Sequence, residues 1–105
     1  MFLAFLLLNS SCSPLIKYSQ TKWQFEEEVS LLEDLDIEEK AGENDILFIG
    51  SSSIRLWENI NRDMYPYNSV KRGYGGAHFY DLIHFSERLV KNHSPKAILI
   101  FVAND

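Results

Sequence analysis

Asp45-Ile46-Leu47-Phe48-Ile49-Gly50-Ser51-Ser52-Ser53-Ile54-Arg55-Leu56-Trp57 is the stretch whose reading decides the fold. An apolar run halts at a glycine, and three hydroxyls and a helical pattern follow at once. That is how a buried parallel strand hands over to a helix with a small side chain at the turn. Such a turn lifts a hydroxyl clear of the sheet and aims it toward the positive end of the next helix, where developing negative charge is favoured. Three readings compete: a serine nucleophile, an anion cradle, and an ordinary helix N-cap supplied by Ser51 or Ser52. The cradle is the weakest, because a phosphate loop needs Gly-x-x-x-x-Gly-Lys-Ser/Thr and no lysine sits here.

Outward from this turn, Lys71-Arg72-Gly73-Tyr74-Gly75-Gly76-Ala77-His78 follows the short extended run Tyr67-Asn68-Ser69-Val70. Glycines at this density let a bare backbone N–H approach another molecule. They do not form a dinucleotide fingerprint, since the third glycine of Gly-x-Gly-x-x-Gly would fall at His78. Ala97-Ile98-Leu99-Ile100-Phe101-Val102-Ala103-Asn104-Asp105 reads as another buried strand, ending in an amide beside a carboxylate. Trp23, Phe25, Val29, Leu32, Leu35 and Ile37 approximate a helical stripe with acids between them. They predict a helix over residues 22–39 that Ala41-Gly42-Glu43-Asn44 ends. Phe79, Leu82, Ile83, Leu89 and Val90 predict a further helix. Helix, strand, helix, strand, helix, strand is the order of an α/β fold, a three-layer sandwich around a parallel sheet. The serine, the glycine loop and the asparagine each follow a strand, and open parallel sheets bind ligands beyond the carboxyl ends of their strands.

On these residues the chain resembles the SGNH, or GDSL-like, esterase and lipase superfamily. Its first block, in some branches Gly-Ser-Ser-Ser-Ile-Arg followed by a tryptophan, resembles Gly50 to Arg55 with Trp57. The resemblance implies Ser52 as nucleophile. The second block resembles Arg72-Gly73-Tyr74-Gly75-Gly76, implying that the Gly76 N–H is an oxyanion donor. The third, usually Gly-x-Asn-Asp, resembles Val102-Ala103-Asn104-Asp105, with Asn104 as the side-chain donor and valine in place of glycine. It also implies a flavodoxin-like sheet and no cofactor. The family's fourth block, an Asp-x-x-His supplying acid and base, belongs downstream of Asp105, so residues 21–105 are expected to be the N-terminal part of such a domain. Lipid, carbohydrate and small-molecule esters all fit this chemistry. A non-catalytic module that binds acylated ligands or glycans is the alternative, and an inactive structural fragment is the third class.

The histidines have other expected uses. His78 follows the glycine loop with Asp81 three residues on, which suits a helix start better than a self-contained triad. His84 falls on the flank of the helical pattern. His93, in Lys91-Asn92-His93-Ser94-Pro95, is expected to cap that helix or face solvent. No spacing among them and Cys12 suggests a metal site. The chain has 105 residues, 46% of them hydrophobic, enough for one small domain. Its net charge of -5 arises largely between Glu26 and Asp45 and argues against a nucleic-acid surface.

Residues 1–20 read as a leader and linker. Met1 to Leu8 is an apolar run of signal-peptide size, too short to span a bilayer. Asn9-Ser10-Ser11-Cys12 partly resembles a bacterial lipoprotein cleavage site, and a lone cysteine cannot form an intrachain disulfide. Secretion, or a lipid on Cys12 anchoring the chain at the periplasmic or cell surface, is therefore expected, with a cytoplasmic location as the alternative. Radiolabelled palmitate should enter the protein in a bacterial host, and Cys12→Ala should abolish labelling and membrane association. A soluble, uncleaved wild-type chain would remove the leader reading.

Overall fold

The computed structural model describes residues 22–40 and 42–103. Cys12, the apolar N-terminal run and Asn104 lie outside them. A 3-10 turn over Lys22–Phe25 runs directly into helix α1, Glu26–Glu38. Three acids in the first turn of α1 suit its N-terminus. The helix closes with Lys40 at φ 53, so the left-handed residue is a lysine and not the expected Gly42. Strand β1, Glu43–Gly50, follows, then two single-turn helices, α2 at Ser52–Arg55 and α3 at Ile60–Asp63. Strand β2, Ser69–Gly73, helix α4, Phe79–Val90, and strand β3, Ser94–Phe101, complete the order.

The architecture is α/β. The three strands form one all-parallel open sheet in the order β2-β1-β3, compatible with a flavodoxin-like layout. Gly50 lies in register with Gly73 on one side and Phe101 on the other. Alternation along β1 divides the apolar interior in two. Leu47 and Ile49 face α1 and α4 and pack with Val29, Leu82, Phe85 and Leu89, whereas Phe48 points the other way onto Ile54 of α2 and Ile60 of α3.

Several expectations need correction. The acid-rich helix does not present all its acids to water. Asp36 is buried and Ile37 is exposed. Asp36 accepts hydrogen bonds from Arg72 Nε at 2.8 Å and Asn92 Nδ2 at 3.2 Å, and lies 2.8 Å from His93 Nε2. A carboxylate only accepts, so His93 donates. His93 closes the end of the last helix through its N–H, which donates to Val90 O at 2.9 Å, but its side chain is buried against a charge partner and does not face solvent. Arg72 reaches Glu39 as well, at 2.6 Å. Removing Asp36 or Arg72 would strand a buried charge, at about 3–5 kcal/mol. β2 begins two residues later than the extended run at Tyr67 suggested and includes Lys71 and Arg72, whose charges are met by these partners and by the carbonyls of Arg55 and Trp57. On the α1/α4 face a second ionic group joins the helices. Arg88 pairs with Glu26 and Glu33, and its hydrogen bond holds the Glu33 carboxyl below the usual carboxylate range.

β3 also differs from its expectation. Its composition predicts burial, yet Ile98, Leu99, Ile100 and Phe101 are each about half exposed. The strand sits at the sheet edge, where neither face is fully covered. An apolar edge with no charge between Ala97 and Phe101 is a pairing hazard. The chain from Pro14 onward is therefore expected to self-associate in sedimentation experiments, and Ile100→Lys to reduce that association. A cooperative melt from a clean wild-type monomer would refute it.

Candidate functional site

The site is built where the three strands end. Gly50 has φ 145, and a Cβ there would lie 1.9 Å from the Phe101 carbonyl oxygen. Both conformation and space demand glycine. The next residue continues the contact, Ser51 N–H donating to Phe101 O at 3.0 Å, while Gly50 O accepts from Tyr74 N–H at 3.0 Å. At the end of β2, a Cβ on Gly73 would meet Ile54 Cβ at 2.7 Å and both Arg55 N and Ser51 O at 2.8 Å. The first turn of α2 therefore rests directly on the backbone of β2.

Ser51 occupies the N-cap position of α2 in an extended conformation, and its carbonyl accepts from Ile54 and Arg55. Its hydroxyl makes no capping bond and has no hydrogen-bond partner among the described residues, although the residue is buried. The N-cap reading of the serines thus holds for the backbone and fails for the side chain. Ser52 is the first residue of α2 and half-buried. As the first helical residue it has no intrahelical acceptor for its N–H. α2 spans only four residues, so few peptide dipoles sum along it. Local N–H groups, and not a helix dipole, are what this end of the sheet offers to negative charge.

The glycine loop leaves β2 beside this turn. Tyr74 is fully buried between Phe25 and Phe85, with ring centroids 5.2 and 6.0 Å away, and its hydroxyl donates to Asp81. Burial first, then that carboxylate, pushes the Tyr74 phenol up from its ordinary value. Gly75 N–H donates to Glu28 Oε2 at 2.7 Å. Gly76 is exposed with φ 77, and a Cβ there would meet only Phe25, at 3.5 Å. Conformation, not crowding, requires glycine at Gly76. His78 then starts α4, its N–H donating to both Asp81 oxygens at 3.2 Å.

Ser52 and Gly76 therefore follow the carboxyl ends of adjacent strands. Asn104 lies outside the described residues, just beyond the end of β3. His78 has the helix-start position expected of it, and its Nδ1 is 3.6 Å from Asp81 Oδ2. His84 is exposed on α4 against Trp23 and Phe85. His93 sits before the amino end of β3, at the opposite end of the sheet. No family model, curated protein or solved structure matches this chain. Among the described residues, no group of three His, Cys, Asp or Glu side chains is placed to hold a metal ion, and no helix is long and apolar enough to cross a membrane.

A groove of about 540 Å³ opens between α3 and the end of α1, lined by Lys40, Asn44, Asn61, Asn68 and His93 among others. It does not include Ser52 or Gly76. It lies at the other end of the strands from Ser52 and the glycine loop.

Sequence reasoning missed Glu28 and gave Arg55 no role. Glu28 Oε1 accepts from Arg55 Nη1 at 3.0 Å while Oε2 holds Gly75. These partners are 27 and 47 residues from Glu28 in sequence. No local pattern signals such pairs.

Two glycine substitutions test this geometry. Gly50→Ala should destabilise by more than about 4 kcal/mol, because the new Cβ overlaps a carbonyl oxygen and the backbone must move. Gly76→Ala should cost only about 1–2 kcal/mol, the strain of a left-handed residue. Urea denaturation of both variants measures the difference, and a Gly50→Ala variant as stable as wild type would be incompatible with the packing described.

Proposed function

We propose that residues 21–105 are the N-terminal part of a serine ester hydrolase, with Ser52 as nucleophile and the Ser52 N–H, the Gly76 N–H and the Asn104 amide as oxyanion donors. The observation that carries the reading is the close packing of Ser51, Ile54 and Arg55 on Gly73, which sets the start of α2 beside the glycine loop at neighbouring strand ends. The ordered resemblance of three blocks to the SGNH superfamily supports it, as does a serine pair whose buried member is not used as a side-chain cap.

In this reading Ser52 Oγ attacks the ester carbonyl carbon and gives its proton to a base. The carbonyl oxygen takes up negative charge, which preorganised donors stabilise more in the transition state than in the ground state. Collapse expels the alcohol, which receives the proton, and water then hydrolyses the acyl-serine by the same steps in reverse order. A serine hydroxyl is weakly nucleophilic without that base. Asp81 is already engaged by the Tyr74 hydroxyl and the start of α4, and His93 by Asp36, so neither belongs to the proposed catalytic group. The base we propose is the histidine of the Asp-x-x-His block that the resemblance implies.

In the natural protein that carries this chain, Ser52→Ala should abolish both hydrolysis of a short nitrophenyl ester and covalent capture by a fluorophosphonate probe. Asn104→Ala should lower kcat about a hundredfold with little change in KM, the signature of one lost oxyanion donor. Hydrolysis and probe labelling that persist in Ser52→Ala would overturn the assignment. Binding of acylated ligands with no Ser52-dependent turnover would instead favour the non-catalytic module.

A further inference from the structure

We propose that Glu28 and Arg55 are positioning residues that fix the Gly76 N–H relative to Ser52, an inference that rests on Ser52 being the nucleophile. One carboxylate from α1 spans both halves of the site. Glu28 Oε1 takes the Arg55 guanidinium at 3.0 Å, and Glu28 Oε2 takes the Gly75 N–H at 2.7 Å. Arg55 ends the one-turn helix that Ser52 begins, and its backbone N–H bonds Ser51 O. Gly75 immediately precedes the proposed donor. The guanidinium also lies on Gly75, where a Cβ would come 2.6 Å from Nη1 and 3.0 Å from Cζ. Arg55 thus closes one side of the loop by contact while Glu28 holds it by a hydrogen bond.

The energetics favour a positional role over a merely stabilising one. The side chains of Arg55 and Glu28 are 45% and 36% exposed, and ion pairs this open contribute little to stability. A charge-assisted bond to a backbone N–H is directional, however, and fixes the peptide plane on which it acts. Gly75 and Gly76 lack the side-chain restraint that would otherwise limit their conformations. The bond to Glu28 fixes the Tyr74–Gly75 peptide, and the Arg55 guanidinium lying against Gly75 limits how the next peptide, which carries the Gly76 N–H, can turn. A Cβ on Gly75 would displace the guanidinium, whereas Gly76 needs glycine for its left-handed φ. The paired glycines therefore have separate reasons.

The test uses the natural protein, a nitrophenyl ester and a fluorophosphonate probe. Glu28→Ala is expected to lower kcat on the order of tenfold, as misplacement of a catalytic group does, with KM within about twofold and the melting temperature nearly unchanged. Amide exchange at Gly75 should accelerate. Glu28→Gln, which keeps an acceptor for the Gly75 N–H, should recover most of the rate. Arg55→Gln removes the planar cover and should lower kcat several-fold, and it decides the matter if Glu28→Ala does not fold. If Ser52→Ala is inactive while Glu28→Ala and Arg55→Gln turn over at the wild-type rate, the positioning role is wrong and the nucleophile assignment stands. If the wild type shows no Ser52-dependent labelling, both fall together.

Discussion

The carbonyl oxygen of Phe101 sits where a side chain on residue 50 would have to be. The arrangement at the carboxyl end of the sheet depends on that approach. With Gly50 bare, β1 can turn against the end of β3, and Ser51 N–H can bond the same carbonyl. With Gly73 bare on the other side, the turn that follows can settle on β2. Two missing side chains thus place Ser52 at the junction of three strands, which larger residues would push apart. Glycine carries an entropic penalty in a strand, and the penalty is accepted where the backbone itself must be the contact surface.

How much of this was legible in the sequence varied with the range of the interaction. β1 and α4 were readable because one is an unbroken apolar run ending at a glycine and the other a strong 3.6-residue stripe. The serine turn and the glycine loop stood out because each follows an extended run, while the choice of Ser52 and Gly76 within them came from the family resemblance. β2 was harder to delimit, since Lys71 and Arg72 read as loop residues until Asp36, Glu39 and two backbone carbonyls are seen to meet their charges. His93 was misread for the same reason. Its partner is 57 residues away, and local composition around it is that of a helix end. β3 failed differently. Its residues predict a buried strand, but burial belongs to the neighbours, and on its outer side the described residues supply none.

The two halves of the interior are stabilised in different ways. Around Phe48, Ile54 and Ile60 the packing is purely apolar, with Trp57 against Phe48 at 5.3 Å. On the opposite face, ionic groups frame an apolar centre. Asp36 links His93, before the amino end of β3, to Arg72, near the carboxyl end of β2, and Glu26, Glu33 and Arg88 join α1 to α4. Apolar contacts tolerate sliding, whereas a buried charge accepts few arrangements. The charged ties therefore fix how α1 lies against the sheet, and α1 is the element that carries Glu28 to the glycine loop.

The outer strands are also unequal. β2 is guarded, its first N–H donating to the Asn61 side chain at 2.9 Å and its two cations engaged by neighbouring groups. Among the described residues, β3 has no such guard between Ala97 and Phe101. Among the described residues the two flanks are therefore unequal, β2 carrying engaged polar groups and β3 the more receptive edge. A further parallel strand, whichever polypeptide supplies it, has one flank to join. Aligned there, it would end beside Phe101 and lengthen the rim on which the serine turn and the glycine loop already lie, so the receptive flank would direct new side chains toward the candidate site.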